Sequence, residues 1–142
     1  MKTVSYHQID AAESDYLYVQ TSQIPNAGMG LFAAITIYKE ERIAIFHGEQ
    51  LNAKQAAKRA TIGSDQYFMM LPNAVTLDCN LNDGFAKYAN DASVLYNGLK
   101  NNAKIAFDDE HNVSLIALRN IKAGEEILCS YGKAYWKKHL IE

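Results

Sequence analysis

The sequence predicts a β-rich α+β domain, and three observations predict it. Short runs of β-branched, aromatic and leucine side chains recur along the chain, each closed by a turn signal. A single stretch carries a well-capped helical pattern. The 142 residues suffice for one domain with a real core and leave no room for a second.

The elements come in order. Tyr16 to Gln20 is the first β-type run, and Pro25-Asn26-Ala27-Gly28 turns the chain after it. Gly28-Met29-Gly30 taken alone is a tight bend leading into a strand, since glycine supplies backbone angles that other residues avoid. Ile43 to His47 is the next run. Asn52 can cap a helix over Ala53 to Ala60, with Lys54, Lys58 and Arg59 on the solvent side. A shorter helix is expected after Asp83, where Phe85, Lys87 and Tyr88 make one turn. Ile105 to Phe107 and Val113 to Arg119 form a hairpin around Asp108 to Asn112. Asp83-Gly84, Asn97-Gly98 and Ala123-Gly124 mark turns, and Ile127 to Tyr131 is the last run. No internal repeat, low-complexity tract or linker is evident.

Composition excludes several functions. Hydrophobic residues are 49% and charged residues 21%, an ordinary globular balance that argues against a disordered chain. A net charge of −2 gives no overall field for nucleic acid or an acidic membrane surface, and does not repel a basic partner. Cys79 and Cys129 lie far apart without paired spacing, so neither a disulfide framework nor a zinc cluster is expected. No apolar run reaches the roughly 18 residues of a membrane helix, and no signal core opens the chain. The expectation is a soluble intracellular protein, cytoplasmic or nuclear, with no metal. His7, His47, His111 and His139 show no ligand spacing and are expected at the surface.

Three segments carry the chemistry. Gly28-Met29-Gly30 is not a phosphate loop, because no third glycine opens a helix and no Gly-Lys-Ser/Thr comes after it. Lys87-Tyr88-Ala89-Asn90-Asp91, met alone, is a polar turn. Glu125-Glu126 followed by Tyr131-Gly132 is a strand entry and a tyrosine that elsewhere would simply pack. Glu125 and Glu126 read as hydrogen-bonders of a turn and a strand entry, not as an acid–base pair.

In this order the three segments resemble the SET domain, the fold of a large class of protein-lysine methyltransferases. The resemblance runs from about Tyr16 to Lys138, with residues 16–142 as the domain and 1–15 as an N-terminal extension. It implies small sheets, short helices and a C-terminal pseudoknot, without zinc-binding clusters on either side. S-adenosylmethionine is the implied cofactor. Gly28, Met29, Gly30 and Leu31 would meet it through the main chain. Asn90 and Asp91 would hold its adenine end, Lys87 would lie near its carboxylate, and Tyr88 would belong to the same wall. Tyr135 or Trp136 would stack on the adenine. Tyr131 matches the catalytic tyrosine, and Tyr67 is the second aromatic of the cofactor and lysine channel. Cys129 sits in that channel, where relatives carry Phe or Tyr.

Four departures from the family pattern stand out. Lys87 replaces Arg, and Asp91 replaces His. Asn102-Ala103 is the best match to the family's Pro-Asn element, with Asn101 where proline is expected. Lys39-Glu40-Glu41 replaces Lys-Gly-Glu, so that turn has to form without glycine. The implied activity is methyl transfer to the ε-amine of a protein lysine, a histone tail among the candidates, with homodimerisation open. A SET-like module that binds a peptide but no longer methylates is the alternative.

Overall fold

The computed structural model describes residues 7–62, 68–70, 76–78, 84–92, 98–107 and 112–130. In chain order, β1 is His7–Gln8, α1 Glu13–Tyr16, β2 Leu17–Thr21, β3 Met29–Ala33, β4 Glu41–Ile45 and β5 Glu49–Leu51. Helix α2, Ala53–Thr61, precedes β6, Phe68–Met70, and β7, Thr76–Asp78. A 3-10 turn over Ala86–Tyr88 leads to β8, Ala103–Phe107, β9, Val113–Ala117, and β10, Glu126–Ile127. Among the described residues the strands form three sheets, ordered β1-β4-β9-β8, β10-β3-β2 and β5-β7-β6. The expected β-rich α+β class is what the chain adopts.

Local chemistry explains several elements. β2 and β3 pair antiparallel from Leu17↔Ala33 to Thr21↔Met29, and Tyr18 stacks on Phe32 with ring centroids 5.5 Å apart. In the connection, the Ala27 N–H donates to the Ile24 carbonyl at 3.2 Å. That turn holds Pro25 second and Asn26 third, where φ is +64, the position at which asparagine is tolerated. Helix α2 has the expected Asn52 cap and completes a capping box: Asn52 accepts from the Gln55 N–H at 2.8 Å, and Gln55 accepts from the Asn52 N–H at 3.0 Å. None of its residues is buried, so its cap and propensity hold it more than packing does. The short helix after Asp83 is present as the 3-10 turn.

Strands β8 and β9 form the expected hairpin, from Ala103↔Ala117 to Phe107↔Val113, whose loop residues 108–111 lie outside the described residues. β9 is buried at every position, so it sits at the heart of its sheet. The residues before Tyr16 also take part in the fold. β1 pairs parallel with β4, and the Glu13 carboxylate accepts from the Ile45 N–H at 3.2 Å. Tyr16 is buried and donates to the Ile43 carbonyl at 2.7 Å. Desolvation, with Glu13 nearby, pushes its phenol up to about 12. No helix among the described residues is long and apolar enough to cross a membrane.

Contrary to expectation, an internal repeat exists. Leu31, Ala33, Ile37, Glu41 and Ile43 recur as Leu115, Ala117, Ile121, Glu125 and Ile127 at one constant offset. Each unit is a strand, a loop, a four-residue turn and a second strand. The units exchange partners: β4 of the first pairs with β9 of the second, and β10 of the second pairs with β3 of the first. Ile37 and Ile121 pair with one another, bonding at 2.8 and 2.7 Å, and both are fully buried. With Leu31, Ile43, Leu115 and Ile127 they form the centre of the core. The repeat escapes notice because only a few positions recur, apolar ones in the shared core and a glutamate that clamps each turn, while the residues between them differ.

The predicted strand Ile127 to Tyr131 takes a different form over its described residues, 127–130. β10 ends at Ile127, and the chain then leaves β3. Leu128 pairs in parallel with Asn90, and Cys129 with Ala103. The C-terminal segment thus lies between two upstream segments, the arrangement from which a threaded end is built.

Candidate functional site

Three predicted motifs meet here. The Asn90 side-chain amide donates to the Met29 carbonyl at 3.0 Å, joining the polar motif to the Gly-Met-Gly segment. The Asn90 carbonyl accepts from the Cys129 N–H at 2.9 Å, joining both to the C-terminal segment. On the far edge of that segment, Asn102 is buried and uses both ends of its amide. It donates to the Glu126 carbonyl at 2.8 Å and accepts from the Leu128 N–H at 2.9 Å. Its backbone N–H donates to the Leu128 carbonyl at 2.8 Å. An amide that pairs like a peptide group holds a strand as a neighbouring strand would.

The two glycines differ in what they provide. Gly28 has φ +75, with open space where a Cβ would sit, so the main chain is bare on that side. At Gly30 a Cβ would collide with the Glu126 carboxylate, and Ser22 lies close as well. Gly30 therefore makes room for a side chain of the protein itself. Met29 between them is about half exposed, whereas Leu31 is fully buried in the core and paired through Val19 and Ile127. A ligand would meet Gly28 and Met29, with Gly30 and Leu31 behind them.

Asp91 is buried, and its carboxylate accepts from the Asn101 amide at 3.2 Å. The Asn101 oxygen accepts from the Ala92 N–H at 2.8 Å. Asp91 and Asn101 both depart from the family pattern, and together they close the loop between them. The Asp91 side chain is turned into the fold. Lys87 and Tyr88 are half-buried neighbours, with the Lys87 ammonium 5.3 Å from the Tyr88 ring centre.

Cys129 is free, fully buried and part of the main core. Burial pushes its thiol far above the ordinary range, and the Asp91 charge adds to this. It is an inert, protonated thiol rather than a nucleophile. Glu125 behaves as the sequence suggested, accepting from the Lys122 N–H at 3.0 Å and from Arg119 at 2.9 Å. Partial burial opposes its charge, but those donors and the Arg119 charge hold its carboxyl below the usual value. Tyr67, Tyr131, Tyr135 and Trp136 lie outside the described residues, as do Tyr96, Cys79, His111 and His139. His7 and His47 are exposed.

Sequence reasoning missed the depth of Glu126, the weight carried by Ser22, and the loop closure by Asn101. Ser22 carries no sign of its partner in the residues around it. The hydrogen bond between them spans most of the chain, and no local pattern encodes it.

The chain is similar to known proteins. The family model for the SET domain matches residues 28–132. The human Histone-lysine N-methyltransferase 2D is 27% identical over 134 residues, which is 92% of this chain and 2% of that protein; the mouse protein of that name matches equally. Among solved structures, the Chaetomium thermophilum Polycomb repressive complex 2 matches with TM-score 0.68 and 26% identity, over 82% of this chain and 15% of that one. A second such complex, in an autoinhibited conformation bound to S-adenosylmethionine, shares the fold with TM-score 0.68 and 24% identity, over 89% of this chain and 16% of that one. The chain therefore spans a small fraction of each of these relatives.

Proposed function

The chain belongs to the SET-domain family, and from that premise we propose that it methylates the ε-amine of a protein lysine with S-adenosylmethionine as donor. The observation that carries this reading is the Asn90 amide on the Met29 carbonyl. It brings two of the three motifs into one wall, and the third lies against Asn90 from the other side. The bare main chain at Gly28 and the exposed Met29 fit a ligand laid along the backbone.

Gly28, Met29 and the Asn90–Asp91 main chain would hold the donor, with Lys87 near its carboxylate. Tyr135 or Trp136 would cover its adenine. When bound, S-adenosylmethionine supplies an electrophilic methyl group on a sulfonium. The residues of the chain then have to deliver a neutral amine to it. A free lysine has a pKa of about 10.4 and is nearly all ammonium at neutral pH. An aromatic channel lined by Tyr67 and Tyr131 would disfavour the charged form by desolvation, and the proton would leave to water. Tyr131 would then align the amine lone pair, and alignment is the main source of rate here. No acid–base pair is required, consistent with Glu125 and Glu126 being spent on structure. The substrate is a protein or peptide presenting a lysine, a histone tail among the candidates. An intracellular setting, cytoplasmic or nuclear, goes with that substrate.

The test is calorimetric titration with S-adenosylmethionine, then single-turnover methylation of lysine peptides by the protein and by Tyr131→Phe. Binding is expected in both, with turnover reduced about a hundredfold in the variant. A module that only reads peptides would give no heat with the donor, and equal turnover in both proteins would remove Tyr131 from the mechanism.

A further inference from the structure

Glu126 is a buried carboxylate that methyl transfer does not use. Its Oε2 accepts from the Ser22 hydroxyl at 2.6 Å, and its Oε1 accepts from the Gln23 N–H at 2.8 Å. The Ser22 oxygen accepts in turn from the Ile24 N–H at 3.1 Å. Both donors to the carboxylate come from one loop, the one that runs from Ser22 through the Asn26 turn to Gly28. That loop is closed at its base, where the Ser22 N–H donates to the Gly28 carbonyl at 2.8 Å. Whatever fixes Ser22 therefore fixes Gly28, and with it the height of Met29.

A ring of contacts results. Glu126 holds Ser22, Ser22 holds Gly28, Met29 meets the Asn90 amide, and the Asn90 carbonyl takes the N–H of Cys129, three residues beyond Glu126. Gly30 lets the ring close, since any Cβ there would displace the carboxylate. A buried carboxylate is kept only where its hydrogen bonds are made, so its demand for donors pulls the loop into register. A hydrophobic side chain at this place could fill the space but could not fix the loop along its length.

We propose that Glu126 is a positioning residue for the cofactor: through Ser22 and Gln23 it sets the Gly28–Met29 backbone against Asn90. The proposal rests on the donor-binding reading above. Glu126 touches no reacting atom, and it acts only through the loop that it holds.

The experiment compares the protein with Ser22→Ala and Glu126→Gln. The first removes the hydroxyl and leaves an oxygen of the carboxylate unpaired. The second keeps the shape and the acceptor for Gln23, but turns an acceptor for Ser22 into a donor. Calorimetry with S-adenosylmethionine and with its demethylated product is expected to show affinity about tenfold weaker in Ser22→Ala. In Glu126→Gln it is expected to be about threefold weaker. In turnover assays KM for the donor rises while KM for the peptide stays level, a split that a general loss of stability would not produce. Should Ser22→Ala fail to fold, Glu126→Gln carries the same comparison alone. Unchanged donor affinity in a folded variant, whatever its melting temperature, overturns the positioning role and leaves Glu126 as a structural bond. Absence of donor binding by the unaltered protein overturns the donor-binding reading itself, and this inference with it.

Discussion

The two halves of the internal repeat begin alike and end differently, and the candidate site lies where they diverge. In each, the first residue of the turn donates its N–H to a glutamate carboxylate three positions on: Tyr38 to Glu41 at 2.6 Å, and Lys122 to Glu125 at 3.0 Å. The backbone bonds that close the turns are both 3.0 Å. The third residue of each turn has positive φ, +72 at Glu40 and +87 at Gly124, and donates to the alanine that ends the partner unit's strand. After the turns the paths separate. β4 stays beside β9 from Arg42 to Ile45, with a register shift between Arg42 and Ala44. β10 leaves β3 after Ile127 and runs between Asn90 and Asn102. The first unit completes a sheet, whereas the second gives up its sheet partner and joins the Asn90 and Asn102 segments.

Glycine is not what makes these turns. Glu40 occupies the left-handed region without it, held by the Glu41 clamp and by its own bond to Ala117. A non-glycine residue there costs about 1 kcal/mol, small beside the bonds that fix it. The glycine that the family pattern places at this turn is therefore a convenience.

Breaking the divergence is expected to have the largest effect. Gly30→Ala forces the Glu126 carboxylate out of its donors and is expected to cost more than about 3 kcal/mol in denaturant unfolding. A loss under about 1 kcal/mol would mean that Glu126 moves freely. Asn102→Ala removes both bonds that hold the departing segment and leaves Glu126 and Leu128 main-chain groups buried, at about 3 kcal/mol. Nearly unchanged stability there would show that the segment is held from the Asn90 side alone.

The first unit can be loosened by pH. The Tyr16 phenol bonds to Ile43 in β4, and its folded value of about 12 lies above its ordinary 10.0. Raised in the folded state, it contributes stability that is complete below pH 10 and lost as pH rises toward 12. The full loss is about 3 kcal/mol. Equilibrium unfolding from pH 9 to 12 should show that decline, and Tyr16→Phe should remove the share due to this group. An identical pH profile in the variant would place the lability elsewhere. The smallest effects come from exchanging the turn residues. Gly124→Ala is expected to cost about 1 kcal/mol, and Glu40→Gly to gain about 0.5 kcal/mol, both read from melting curves. If Glu40→Gly destabilises, the clamp rather than φ dominates that turn.

Much of the fold was legible where the signal is local. The Asn52 cap, the Pro25-Asn26 turn, the hairpin of β8 and β9 and the turn before Glu125 depend on neighbours in sequence, so residue type alone indicates them. The short strands β5, β6 and β7 were not legible. Three residues cannot display an alternation, and Glu49–Gln50 is polar and exposed. β3 was visible only as a run after a bend, because it is buried along nearly its whole length and shows no period. Of the candidate site, the motif order pointed to Gly28, Met29 and Asn90, and these residues do come together.

By itself, then, the sequence determined the class of the chain, its turns and caps, and the three motifs that mark its family. Tertiary structure alone decided that the two glycines serve different ends, that Asp91 and Asn101 close a loop, and that Glu126 is buried against Ser22. The reason is physical. Caps and turns are settled within a few residues, where sequence distance equals spatial distance. A buried carboxylate is settled by whichever donors the folded chain brings to it, and those of Glu126 come from the opposite end of the domain.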